Sequence, residues 1–134
     1  MTRYVIGPDV ALRLVDGGPA VAEEHRLLAP TLLRSQVLSR LHQAAGRDEL
    51  TRQEAERRLN RVRGLRIRLL GDRVLQSVAW TIADELGWAD TFDAEYLALT
   101  RLQGDAFVTL DPELARAAGG VVPLAPFDAL AGDA

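Results

Sequence analysis

Asp93 and Asp111 are the side chains of this sequence best placed to do chemistry, because few other reactive groups exist. The chain has no cysteine and no lysine; its 16 basic residues are all arginine. Thiol nucleophiles, cysteine metal sites, lysine Schiff bases and a lysine-bearing phosphate loop are therefore excluded. The histidines are His25 and His42. Neither lies beside a serine in a nucleophile-elbow context, so both read as surface or packing residues. Carboxylates remain. Asp111 follows the run Phe107-Val108-Thr109-Leu110 and should project from the carboxyl end of a strand. Asp93 opens a helical segment just ahead of that strand, in Thr91-Phe92-Asp93-Ala94. In a parallel α/β sheet, helix starts and strand ends share one rim, where ligands bind. Two acids distant in sequence can converge there. Converging carboxylates suit Mg²⁺ or Mn²⁺, which prefer oxygen ligands, and such an ion can activate water and stabilise charge on a phosphate. Each acid also has an ordinary explanation: Asp93 complements a helix dipole, and Asp111, before Pro112, is a standard N-cap.

The elements that would position these acids alternate. Tyr4-Val5-Ile6 is a β-rich run stopped by Gly7-Pro8, and Val10, Ala11, Leu14 and Val15 then recur at helical spacing. Residues 27–29 form a second short strand ended by Pro30. A helix follows from Thr31, its expected N-cap, through Leu33, Val37, Leu38, Leu41 and Ala45 to Gly46. Thr51 and Glu54 have capping-box spacing and open another helix. Residues 67–70 read as a third strand. Asp72 caps a helix that Gly87 ends, and 92–103 is a helix with Phe92, Tyr96, Leu97 and Leu99 on or near its buried side. Phe107–Leu110 is a strand, Leu114–Ala118 a short helix, and Val121–Leu124 a final edge strand, where a proline is tolerated. Alternation of this kind predicts an α/β fold: a central parallel sheet of four to five short strands with helices on both faces.

Composition sets the bounds. A chain of 134 residues with 48% hydrophobic content is expected to form one layered domain over 1–134. No apolar run approaches the roughly 20 residues of a membrane span, and no signal-peptide core is visible at the N-terminus. With no cysteine, the chain is expected in a reducing cytoplasm. The net charge of −3 offers no global attraction for nucleic acid, so RNA would need a local basic patch. Arg57, Arg58, Arg61, Arg63, Arg66 and Arg68 are the densest such stretch. They read either as a phosphate-contacting rim or, preferably, as a solvated face paired with Glu54 and Glu56. Trp80 and Trp88 read as core or dimer contacts more than as base-stacking platforms.

Residues 91–100 (TFDAEYLALT) followed by Phe107–Asp111 (FVTLD) resemble the C-terminal signature of PIN-domain proteins, especially VapC toxins. Residues 4–12 (YVIGPDVAL) resemble the opening strand and helix of that family, and 29–38 (APTLLRSQVL) the segment that carries its glutamate. The resemblance spans essentially the whole chain. It implies a three-layer α/β/α, Rossmann-like fold and a Mg²⁺- or Mn²⁺-dependent endoribonuclease, the toxin of a toxin–antitoxin pair. Single-stranded RNA, an antitoxin-like protein and a second copy of the chain are the partners it implies. The family site has an aspartate after the first strand, a glutamate on the second helix and two later aspartates. Asp93 and Asp111 match the last two, and Thr109 matches a hydroxyl residue often found before the final acid.

The other two positions depart from the pattern. Gly7 stands where the first aspartate is expected, and Gln36 where the glutamate is expected. Gln36 keeps a carbonyl oxygen but no charge. A carboxylate about 4 Å from a divalent ion is worth about 8 kcal/mol at an effective dielectric of about 20, before desolvation. Two such losses predict a metal that is weakly bound or absent, and restoring both acids is expected to strengthen binding. Asp9 is a candidate rescue, since an extended backbone would turn it to the same side as Gly7; its competing role is N-cap of the first helix. Asp90 is a candidate outer acid. The expectation is a VapC-like protein with weak or lost catalysis, and the alternative is a non-catalytic PIN pseudoenzyme that binds RNA or protein.

Overall fold

A single residue separates the first strand from the first helix, and the site depends on that economy. The computed structural model describes residues 1–131, so the last three positions of the expected domain lie outside it. Strand β1 (Thr2–Ile6) buries Tyr4, Val5 and Ile6. Helix α1 (Pro8–Val15) starts at once on Pro8, whose fixed φ and missing N–H suit a first helical turn. Strand β2 (His25–Pro30) leads into α2 (Leu32–Gly46) and α3 (Arg52–Gly64). Strand β3 (Ile67–Leu70) leads into α4 (Arg73–Leu86) and α5 (Phe92–Gln103). Strand β4 (Ala106–Val108), α6 (Pro112–Ala118) and a 3₁₀ turn (Phe127–Ala131) complete the chain.

The four strands lie in the order β3-β2-β1-β4, and every pairing is parallel. Helices α1, α2 and α3 pack on one another, and α4 packs on α5. The result is the three-layer α/β/α, Rossmann-like arrangement that alternation implied. Chain order runs outward from β1 to β3 and then returns to place β4 on the other side of β1. The crevice beyond the carboxyl ends of β1 and β4 is thus the switch point of the sheet, where open α/β folds bind ligands.

One apolar cluster joins both layers, with Val5, Ile6, Val10, Leu97, Phe107 and Val108 fully or almost fully buried. Gly104 lets α5 end close over the sheet: a Cβ there would fall 2.8 Å from Val5 Cγ2. Thr51 and Asp72 cap α3 and α4, each accepting a backbone N–H three residues on. Gly87 closes α4 in the left-handed region, at φ 70°.

Several expectations need correction. Val121–Leu124 is not a strand. Its contact with the sheet is one bridge between Leu124 and Phe107, because the N–H groups of Val121 and Val122 turn back to Ala118 O and Pro123 has none to give. Strand β4 stops at Val108, two residues early, since the next polar groups turn to a side chain instead of a neighbouring strand. Thr31 occupies the N-cap position of α2 without a side-chain cap; its N–H bonds Leu70 O instead. Phe92 is 51% exposed at the mouth of α5, and Trp80 is 68% exposed on α4, so neither belongs to the core.

Candidate functional site

The carboxyl ends of β1 and β4 meet α1, α2 and α5 around a depression of about 540 Å³. Gly7, Asp9, Asp93, Thr109 and Asp111 all line it. The acids read from distant parts of the sequence therefore share one rim. The local sequence explains each placement. Asp93 is in the first turn of α5, Asp111 is the N-cap of α6, and Asp9 is in the first turn of α1.

Asp9 takes up the space left by Gly7. The backbone at Gly7 is extended, at φ −81° and ψ 171°, so any residue could adopt it. A Cβ there would nevertheless lie 2.7 Å from Asp9 Oδ1. Asp9 reaches this place from within the helix, not from an extended segment, and Gly7 holds the N-cap position in its stead. Three neutral donors hold the carboxylate: Val10 N–H at 2.8 Å on Oδ1, and Thr109 Oγ1 at 3.1 Å and Leu110 N–H at 2.8 Å on Oδ2. Asp9 thus ties the start of α1 to the loop after β4.

Asp111 is also partly committed. Its Oδ1 accepts from Glu113 N–H and Leu114 N–H, and Thr109 Oγ1 accepts from Asp111 N–H. Among the described residues, Asp93 has no such partners. The walls of the depression strip water from its carboxylate, and Asp90, Asp111 and Asp9 repel its charge; together these raise its pKa although Arg40 pulls the other way. Asp90 stands just outside, its Oδ1 accepting Phe92 N–H.

Gln36 faces the same region but does not line the depression. Its Oε1 accepts a 2.6 Å hydrogen bond from the Tyr96 hydroxyl. Burial holds that phenol well above its ordinary pKa, so it remains a donor. Arg13, Arg40 and Arg58 line the depression along with Asp16, and Arg58 pairs with Asp16 at 3.3 Å. Of these four, only Arg58 belonged to a stretch that the sequence offered as a phosphate-contacting rim; Arg13, Arg40 and Asp16 were not singled out. The signal for Arg40 was its spacing, four residues after Gln36 on one helix. Of the arginine stretch, only Arg58 reaches the depression; Arg61 donates to Val15 O and Arg63 to Asn60. Glu56 pairs with Arg52, outside that stretch. His42 is exposed, and His25 begins β2 with its ring edge-on to Tyr4.

This donor set does not fit a resident divalent ion. Among the described residues, no three carboxylate or imidazole groups come together closely enough to hold a metal. Asp9 spends its lone pairs on neutral N–H and O–H groups, Gln36 is neutral, and three guanidinium groups share the depression with its four carboxylates. A cage for Mg²⁺ or Mn²⁺ needs uncompensated oxygen charge. The arrangement can instead bind polar or charged groups of either sign along its walls.

No protein-family model matches the chain, and no curated protein matches it. Among solved structures it is similar to PAE2754 from Pyrobaculum aerophilum, with a TM-score of 0.73 and 20% identity over 97% of this chain and 93% of that one. The likeness shows the fold alone. No helix among the described residues is long and apolar enough to cross a membrane.

Proposed function

We propose that this chain is a VapC-like PIN-domain protein whose pocket no longer supports metal-dependent RNA hydrolysis, a pseudoenzyme that binds without cutting. The observation that carries this reading is the fate of the two replaced acids. Asp9 occupies the space of the missing aspartate but is held by neutral donors, and Gln36 is tied to Tyr96. What remains is a polar depression at the switch point whose arginines offer contacts to the phosphates of single-stranded RNA against the repulsion of its four aspartates. A cysteine-free chain of this kind would work in the cytoplasm.

A second reading has its own support. An apolar groove of about 630 Å³ lies between α2, α3 and the edge strand β3, lined by Leu33, Val37, Leu38, Leu59, Val62 and Leu69, with Arg34 and Arg63 also on its walls. It suits an antitoxin-like peptide, and the exposed Trp80 and Val74 of α4 suit a second copy of the chain.

Incubation of wild type and Asp93→Asn with single-stranded RNA in excess Mn²⁺ tests the proposal. RNA retained in salt-sensitive complexes, with cleavage no faster than in the mutant, is the expected result. Cleavage by wild type that vanishes in Asp93→Asn would overturn it. RNA that neither binds nor is cut would shift the assignment to the peptide groove.

A further inference from the structure

We propose that Arg40 is the resident cation of the acidic pocket: its guanidinium, supplied by the chain itself, takes the electrostatic place of a divalent ion and keeps metal affinity low. The inference rests on reading the depression as a reorganised acidic site. Three placements carry it. Arg40 lines the same depression as Asp9, Asp93 and Asp111. It lies one helical turn beyond Gln36 on α2, so both side chains leave the helix on the face turned toward Tyr96 and α5. Its charge is not consumed by any ion pair: among the described residues Arg40 has no carboxylate oxygen within 4.0 Å, the pocket acids included, so it acts across the depression rather than by direct contact.

The neighbouring cations are less suited to this role. Arg58 is paired with Asp16 at the C-terminal end of α1. Arg13 lies in the last turn of α1, away from the helix start that carries Asp9. A guanidinium stays protonated at all working pH values. This positive charge is therefore permanent, unlike that of an exchangeable ion. A hydrated Mn²⁺ entering the pocket shares it with this fixed like charge, and the repulsion weakens binding.

Mn²⁺ titration followed by electron paramagnetic resonance tests this on four full-length proteins: wild type, Arg40→Met, Arg40→Lys and Arg52→Met. Arg52 is exposed on α3 and paired with Glu56, so its removal reports the effect of net charge alone. Arg40→Met should bind Mn²⁺ at least about tenfold more tightly than wild type, equivalent to about 1.4 kcal/mol. Arg40→Lys, which keeps the charge, and Arg52→Met should stay near wild type. Equal affinity of Arg40→Met and wild type overturns the inference, as does an equal gain in Arg52→Met. RNA cleavage by wild type, by contrast, overturns the proposed function whatever the Arg40 variants do.

Discussion

Asp9 joins two chain segments 100 residues apart through Thr109 and 101 apart through Leu110. Truncation would leave the Leu110 and Val10 N–H groups and the Thr109 hydroxyl to find water. Asp9→Ala should therefore cost about 1–3 kcal/mol of stability, the range for a charged acceptor lost from several donors. Urea unfolding checks this, with Asp90→Ala as a comparison expected to change little, since Asp90 accepts one exposed N–H. Asp93 behaves in the opposite way. Its carboxylate is less comfortable in the folded chain than in the unfolded one, because lost hydration and three neighbouring acids raise its folded pKa. The folded state then holds a proton that the unfolded state has released, so this residue lowers stability as pH rises through the carboxylate range. Asp93→Asn should raise the melting temperature at neutral pH, and the gain should vanish once the solution is acidic enough to protonate Asp93 in both states. At this scale, Asp93 and Asp111 were legible because each sits at an element boundary that the sequence marks, and Thr109 only through the family resemblance. Asp9 was legible as an acid that could turn toward Gly7, but its partners were not. Arg40 and Asp16 were not legible, because nothing in a sequence says which face of a helix looks into a depression.

Helix starts at Thr51 and Asp72 were readable because a side-chain oxygen three residues before a free N–H is a local relation. Each closes as expected, at 3.1 Å and 2.8 Å. Asp72→Ala should cost about 1 kcal/mol, seen as a lower urea midpoint with an unchanged slope, and should leave RNA binding unaltered because the α4 start lies outside the depression. Elements whose limits depend on distant partners were less readable. Thr109 and Leu110 look like strand residues by composition, yet Asp9 claims their polar groups and ends β4. Val121–Leu124 looks like a strand as well, but two of its N–H groups belong to the turn after α6. Local chemistry is written locally; pairing partners are not.

At the scale of the molecule, alternation of short apolar runs with helical periods was enough to predict a parallel sheet with helices on both faces. Strand order was not legible, and it is strand order that makes the site. Had β4 added beyond β3, Gly7 and Asp111 would stand at separate edges. Because it returns beside β1, the acidic start of α1, the loop after β4 and the start of α5 enclose one depression. Whether that depression holds an ion is decided by charge, and here neutral donors hold Asp9 and Asp111 while Arg58 pairs with Asp16. The most direct measurement is anomalous scattering from crystals of the full chain soaked in millimolar Mn²⁺. No manganese peak is expected within bonding distance of Asp93 and Asp111, with the Arg40 guanidinium lining the same depression. A manganese ion coordinated by both aspartates would contradict this expectation.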